Sequence, residues 1–133
     1  MTDTHEELPP LNILLNQLEW NLEWLQKMEQ NEPTEYFRNA ALQRFEFTLQ
    51  TASKCIRKAA GSENSCSGSL AESFRLAENR GWLPHTLSWK EMLQNYQNVK
   101  ASADREVTQT VFTRLKTYRD GLQYLYERLL TIP

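Results

Sequence analysis

Glycine and proline are scarce in this 133-residue sequence, which has four glycines and five prolines. A protein of many short strands needs more of both for its turns, so their scarcity favours long helices. Long apolar runs are also missing, because no stretch approaches the roughly 18 residues of a membrane span. The N-terminus lacks the basic region and the apolar core of a secretory signal. We therefore expect a cytoplasmic protein that does not enter a membrane.

Cysteine is scarce as well, and there is no excess of positive charge. Cys55 falls on an apolar helical stripe and Cys66 in a Ser/Gly-rich turn, so we expect neither a disulfide nor a metal site. The two histidines, His5 and His85, have no neighbour at metal-ligand spacing. The formal net charge is −2, so no overall positive field favours nucleic acid as a partner. The sequence also has no phosphate loop and no nucleophile elbow, and we expect no cofactor and no catalytic residue.

Hydrophobic periodicity accounts for most of what is present. Apolar residues make up 40% of the chain, enough to fill the core of one domain. Steps of three and four residues between apolar side chains predict helices, and Gly61 to Gly68 is the clearest turn between them. The predicted helices cover 11 to about 30, 34 to 60, 69 to about 79, a segment opened by Ser88, and 104 to 130. The stretch from Asn98 to Asp104 lacks this periodicity, so we expect it to bend or interrupt the helices.

Two details of these helices can be tested against a structure. Phe45 and Phe47 are two residues apart, which is a rotation of roughly 200° on a helix, so both rings cannot face one core. Trp20 and Trp24 lie beside the leucine stripe of the first helix and could widen it. Capping-box spacings, in which a serine precedes a glutamate by three residues, mark two helix starts. They are Ser69 with Glu72, and Ser88 with Glu91.

The pattern as a whole predicts an all-α protein. We expect an antiparallel, up-and-down four-helix bundle with one additional short helix. Residues 1–10 are polar and end in two prolines, so they are predicted to be a flexible N-terminal lead-in. Residues 11–133 are predicted to form a single helical-bundle domain. Periodicity and composition alone do not indicate any chemical reaction.

One stretch of the second helix carries more information. Residues 38–48 read RNAALQRFEFT, and the Phe-x-Phe spacing within QRFEFT is unusual for a helix. This stretch closely resembles the signature of the nucleotidyltransferase substrate-binding proteins, which belong to the HEPN superfamily of helical nucleotide-binding domains. Residues 72–75, the Trp89-x-x-Met92-Leu93 motif and the leucine-rich last helix follow in the same order as in that family. The resemblance covers about residues 11–130.

The resemblance implies partners and, in some members, an activity. Proteins of this family pair with a separate minimal nucleotidyltransferase and form homodimers. Several are the toxin of a toxin–antitoxin pair and cleave RNA through an Arg-x4-His-x-Tyr motif. Arginine can hold a phosphate with two hydrogen bonds while histidine moves a proton.

This sequence departs from the motif. The alignment on Trp89 puts Tyr96 at the arginine position, Ala101 at the histidine position and Ala103 at the tyrosine position. Alanine cannot transfer a proton, so we expect that the chain is not a ribonuclease. Gln50 and Ser53 also stand where the family tends to have Glu and Trp.

The second helix carries a candidate face for a partner, for a second copy of the chain or for a nucleotide. The alternatives are a solvated face with one exposed ring, and arginines that pair with nearby carboxylates. Trp82 and Trp89 could stack a base, but core packing is favoured. Lys100 and Arg105 flank the degenerate loop that contains Ala101 and Ala103, and they could keep a weak preference for anions. The residues of the candidate face are Arg38, Gln43, Arg44, Glu46, Phe47 and Gln50.

Three hypotheses follow. The favoured one is a non-catalytic, homodimeric adaptor that binds substrate and pairs with a minimal nucleotidyltransferase, as in a toxin–antitoxin-like module. The second is a ribonuclease toxin that works through other residues, among which Lys100 and Arg105 are the candidates. The third is a structural bundle that has lost the role of the family.

Overall fold

A computed structural model describes residues 8–30, 34–61, 69–102 and 104–132. Within these ranges the regular structure is entirely helical, which confirms the all-α prediction. The five helices are α1 (Leu11–Glu29), α2 (Glu35–Ala60), α3 (Leu70–Asn79), α4 (Trp89–Ala101) and α5 (Arg105–Leu130). Across the same ranges, no helix combines the length and the apolar character that crossing a membrane requires. The up-and-down antiparallel order of the helices stays a prediction.

The core forms where α1, α2 and α5 pack against one another. Helix α3 lies against α2 and α4, and α4 lies against α5. The leucine stripe of α1 faces this core, with Leu18 and Leu25 almost completely buried. Leu8 is buried too, so the core takes in a residue three positions before α1. Residues 1–7 of the predicted lead-in lie outside the described residues.

The aromatic residues divide between core and surface. Phe45 is buried and Phe47 is 43% exposed, which confirms that the two rings face different ways. Trp82 and Trp89 are buried, as expected for core packing. In the first helix, Trp20 does not widen the leucine stripe, although its position would allow it, because it is 51% exposed. A helical stripe gives the direction of a side chain, but the neighbouring helices decide whether that direction is covered.

Side-chain caps begin the helices at the predicted serines. The Ser69 hydroxyl accepts a hydrogen bond from the Glu72 amide at 3.3 Å, and the Ser88 hydroxyl accepts one from the Glu91 amide at 3.4 Å. Gly61 ends α2 with a φ of 67°, a left-handed conformation that glycine adopts without steric cost.

The predicted interruption from Asn98 to Asp104 is too long. Helix α4 continues to Ala101, and Val99 packs partly buried against the core. The Gln94 amide also donates a hydrogen bond to the Asn98 side chain at 3.0 Å, one helical turn away. The sequence pattern missed these residues because a single partly buried valine sets no periodicity.

The connection between α3 and α4 is held against α5 by a close contact. Leu87 packs against Gly121 in the middle of α5, and both residues are buried. A Cβ atom at position 121 would lie 2.7 Å from Cδ2 and 2.9 Å from Cδ1 of Leu87. The leucine therefore occupies the space that any other residue at position 121 would need.

Candidate functional site

A pocket of about 440 Å³ lies where the first half of α2 meets the end of α4 and the start of α5. We call it the α2–α4–α5 pocket. Three cationic side chains line it: Arg38, Lys100 and Arg105. Two carboxylates, Glu35 and Glu46, line it as well. The lining therefore carries an excess of positive charge although the whole chain is acidic.

Tyr96, Glu46 and Lys100 form one cluster inside the pocket. The Tyr96 hydroxyl donates a hydrogen bond to Oε2 of Glu46 at 3.1 Å, and Nζ of Lys100 lies 3.9 Å from the same oxygen. The Lys100 ammonium also lies 5.4 Å from the centre of the Tyr96 ring. Burial, and next the hydrogen bond to Glu46, raise the pKa of the Tyr96 phenol. Tyr96 is therefore a protonated hydrogen-bond donor at neutral pH and does not act as a base.

The back of the pocket is continuous with the core. The Phe45 ring meets Tyr96 edge to face, with centres 6.5 Å apart, and stacks on Tyr118 at 5.6 Å. The Asn95 amide donates to the Tyr118 hydroxyl at 2.6 Å. Helices α2, α4 and α5 therefore meet at Phe45, which fixes the distance between the charged side chains in front of it.

The first turns of α2 and α5 both open into the pocket. The Thr34 hydroxyl caps α2 by accepting from the Phe37 amide at 3.2 Å, and the Asp104 carboxylate caps α5 by accepting from the Glu106 amide at 2.8 Å. Arg38 follows the first cap and is 6% exposed, while Arg105 follows the second. The positive ends of two helix dipoles add to these charges, so the pocket is suited to an anion such as a phosphate.

Metal chemistry has no visible support in the described part of the chain. In residues 8–30, 34–61, 69–102 and 104–132, no group of three or more His, Cys, Asp or Glu side chains is arranged to hold a metal ion. Cys55 is buried and free, and Cys66 lies outside the described residues.

The structure divides the six candidate residues of α2 between two surfaces. Arg38, Gln43 and Glu46 line the α2–α4–α5 pocket. Arg44, Phe47 and Gln50 line a separate groove of about 330 Å³ between α1 and α2. The prediction of one shared face grouped them by helical angle, whereas the packing of α1 on one side and α4 and α5 on the other separates them.

The second groove contains an ordered arginine among aromatic rings. The Arg44 guanidinium lies 4.9 Å from the centre of the Trp20 ring and 5.7 Å from the centres of Trp24 and Phe47. Its Nη1 donates a hydrogen bond to Oδ1 of Asn21 at 3.0 Å. We call Trp20, Trp24, Arg44 and Phe47 the Trp20–Phe47 patch. Arg44 therefore faces rings in this groove and lies outside the lining of the α2–α4–α5 pocket.

The chain was compared with models of known protein families. The family model described as "Nucleotidyltransferase substrate binding protein like" matches residues 8–131. The chain belongs to this family. Comparisons with curated proteins and with solved structures gave no significant match. The resemblance inferred from QRFEFT is thereby confirmed at the level of the family.

Of the three positions that the resemblance aligns with the Arg-x4-His-x-Tyr motif, one lies at the pocket, and the loss of the motif stays a prediction. Tyr96 lines the pocket, and Ala101 is the exposed last residue of α4. Ala103 lies outside the described residues. Lys100 and Arg105, which lie on either side of Ala101 and Ala103 in the sequence, both line the pocket.

Sequence reasoning missed part of the lining, including Glu35, Val99 and Thr108. Each belongs to a helix end, where periodicity is weakest. The signal that could have found two of them is position, because Glu35 and Thr108 lie in or next to the first turns of α2 and α5.

Proposed function

We propose that the chain is a non-catalytic substrate-binding subunit that pairs with a separate minimal nucleotidyltransferase. In this proposal, the α2–α4–α5 pocket holds a phosphate-bearing substrate, such as a nucleotide, while the partner supplies the transfer chemistry. The observation that carries the proposal is the convergence of Arg38, Lys100 and Arg105 in one pocket. The membership of the family supports it, since the family is described by substrate binding.

The charges explain how such a pocket would select its substrate. Arginine and lysine make charge-assisted hydrogen bonds to phosphate oxygens, and these are stronger than neutral ones. Glu46 lies beside Lys100 and would orient its ammonium, and Tyr96 would hold Glu46 in place. With alanine at positions 101 and 103, the motif positions offer no side chain that can move a proton. The cationic lining therefore supports binding of a phosphate, and neither alanine supplies the proton transfer of the family motif.

Assembly is the second part of the proposal. We infer that the chain forms a homodimer in the cytoplasm and acts in a toxin–antitoxin-like module with its nucleotidyltransferase. The support is the resemblance of QRFEFT and of the helix order to a family whose members assemble in this way. The solution mass of the purified chain tests the homodimer, because a stable monomer at micromolar concentration would contradict it.

The test of the pocket is a titration with ATP and with inorganic pyrophosphate, followed by calorimetry. Changing Lys100→Ala or Arg105→Ala should weaken binding about tenfold, since each removes one charge-assisted contact. Lys116→Ala is the matched control. Lys116 is exposed and 3.2 Å from Asp120, as Lys100 is exposed and near Glu46, but it lies outside the pocket. Equal affinities for all three variants would contradict a phosphate site in this pocket.

A second measurement tests the pairing. The purified chain is mixed with the minimal nucleotidyltransferase encoded nearest to it, and the mass of the mixture is measured. A stable complex larger than either protein supports the proposal. Two separate species at micromolar concentrations count against the pairing, whatever the titration with ATP shows.

A ribonuclease that works through other residues is the alternative. One observation favours it, because Glu46, Lys100 and Arg105 lie in the same pocket and could act on a phosphodiester. Cleavage of RNA by the purified chain, lost in the Glu46→Gln and Lys100→Ala variants, would establish this function. Intact RNA after prolonged incubation would exclude it under those conditions.

A further inference from the structure

The Trp20–Phe47 patch is exposed although it is rich in aromatic rings. Trp20 is 51% exposed, Phe47 43% and Trp24 37%. Single exposed rings are common on protein surfaces, but three rings around one arginine are a composition typical of the centre of protein interfaces. Trp20, Arg44 and Phe47 line the groove between α1 and α2, apart from the α2–α4–α5 pocket, and the Trp24 ring lies next to them, 5.9 Å from the Trp20 ring.

The patch is also preorganised. The Asn21 side chain accepts from Arg44 and donates to the Gln17 carbonyl at 3.0 Å and to the Thr51 hydroxyl at 3.5 Å. The Arg44 guanidinium is thus held over the rings by hydrogen bonds as well as by cation–π contacts. A side chain that is already ordered loses little conformational entropy when a partner binds.

The charge of the groove indicates what kind of partner fits. Its two charged lining residues, Arg44 and Lys54, are both cationic, and no carboxylate lines it among the described residues. Nε of Arg44 is buried without a hydrogen-bond partner, and within the described ranges Arg44 has no ion pair. A surface that presents a carboxylate beside an apolar side chain would satisfy both the rings and the charge.

Two other occupants fit less well. A second copy that met this patch about a two-fold axis would bring Arg44 and Lys54 against the same cations. A single-stranded nucleic acid would need open ring faces for stacking, but the Arg44 guanidinium already covers Trp20 at 4.9 Å. The net charge of −2 also disfavours a polyanion.

We propose that the Trp20–Phe47 patch is the docking surface for the partner nucleotidyltransferase, which meets it with a carboxylate flanked by apolar side chains. This inference rests on the proposed function, because it names the surface through which that pairing occurs. It assigns substrate binding and partner binding to two different sides of α2.

The experiment measures the affinity of the minimal nucleotidyltransferase encoded nearest to the chain for the wild type and for surface variants. Arg44→Gln and Phe47→Ala should each weaken the complex about tenfold or more, and Arg44→Glu should abolish it. The affinity of the wild type should fall as salt increases, and the Arg44→Gln variant should lose most of this dependence. Far-UV circular dichroism and thermal melting establish that the variants remain folded.

The matched controls are Tyr124→Ala and Arg128→Gln. Tyr124 is 37% exposed on α5, and the Arg128 guanidinium lies 6.0 Å from its ring centre, so this pair copies the chemistry of the patch elsewhere. Both controls should bind within about twofold of the wild type. All of these variants should keep the affinity of the α2–α4–α5 pocket for ATP.

Results that contradict the expected affinities lead to different conclusions. Unchanged affinity in the Arg44 and Phe47 variants overturns the patch and leaves the proposed pairing intact. Failure of the wild type to bind the enzyme overturns the pairing and the patch together. If the Phe47→Ala variant no longer forms a homodimer, the patch is the contact with a second copy and the inference is overturned. If this variant no longer binds a single-stranded oligonucleotide that the wild type binds, the patch is a nucleic-acid site and the inference is overturned as well.

Discussion

Ser53 and Ser73 are buried hydroxyls that join α2 to α3. Their oxygens lie 2.5 Å apart, and the Ser73 hydroxyl also donates to the Ser69 carbonyl at 2.9 Å. Because a hydroxyl has one hydrogen, a Ser73 hydroxyl that donates to the Ser69 carbonyl accepts from Ser53, and we assign Ser53 as the donor on this basis. The contact with α3 gives the small polar side chain at position 53 a buried partner.

The two serines should therefore differ when they are changed. Ser73→Ala should destabilise the fold by about 1–2 kcal/mol, since it leaves the Ser53 hydroxyl buried without its acceptor. Ser53→Ala should cost less, because Ser73 still donates to the Ser69 carbonyl. Urea unfolding of both single variants and of the double variant measures this. Equal costs for the two single changes, or a double change that equals their sum, would contradict the assigned donor.

A sequence pattern predicts the exposure of some single residues and not of others. The burial of Phe45 and the exposure of Phe47 follow from helical rotation alone, and the structure confirms both. The exposure of Trp20 does not follow, because it depends on which neighbouring helices cover that side of α1. The α2–α4–α5 pocket was also missed, since Arg38 and Arg105 are far apart in the chain and only packing brings them together.

At the scale of helices, the start of α4 combines two functions. The Ser88 hydroxyl caps the helix, as the capping-box spacing predicts. The Glu91 side chain reaches α5, where its carboxylate lies 2.8 Å from the Arg114 guanidinium and 3.5 Å from the Tyr118 hydroxyl. Ser88 therefore determines where α4 begins, and Glu91 connects α4 to α5.

Loss of this cap should weaken the whole of α4. Ser88→Ala should reduce the free energy of unfolding by about 1 kcal/mol, because the Glu91 amide loses its side-chain acceptor. Ser88→Asp is the control and should retain most of the stability, since a carboxylate also caps a helix and interacts well with its dipole. Hydrogen exchange of the α4 amides checks the result, and unchanged protection in the alanine variant would argue against the cap.

The ends of the helices are harder to predict from the sequence than their number and order. The number and order of the helices follow from periodicity and from the serine caps, and the part of the chain that the structure describes agrees with both. The end of α4 does not follow from the pattern, because Val99 is the one residue of the last turn that packs against the core. Such local contacts decide the last turn of a helix without leaving a repeat in the sequence.

At the scale of the molecule, several acidic groups are protected by burial. Burial raises the pKa of the Cys55 thiol to about 12 from an ordinary 9.0. Burial also raises the pKa values of the Tyr96, Tyr118 and Tyr126 phenols above their usual value. Each of these groups holds its proton more tightly in the folded chain than in the unfolded chain.

Stability should therefore fall at alkaline pH. The contribution of a raised pKa is complete below the ordinary value and is lost as pH rises through the folded value, so the decline should begin near pH 9 with Cys55. Cys55 adds a slope of about 1.4 kcal/mol per pH unit between its two pKa values, and the raised pKa values of the tyrosines act in the same direction. Urea unfolding between pH 8 and pH 11 measures the slope. Cys55→Ala should flatten it, whereas a slope unchanged by that substitution would contradict the assignment.

The contact between Leu87 and Gly121 also restricts the order in which the sequence can change. Because the leucine fills the space of a Cβ atom at position 121, a larger residue there is tolerated only after position 87 has become smaller. A shorter residue at position 87, in turn, leaves a void that a side chain at position 121 could fill. Substitutions at positions 87 and 121 are therefore expected to be energetically coupled, with the change at Leu87 coming first.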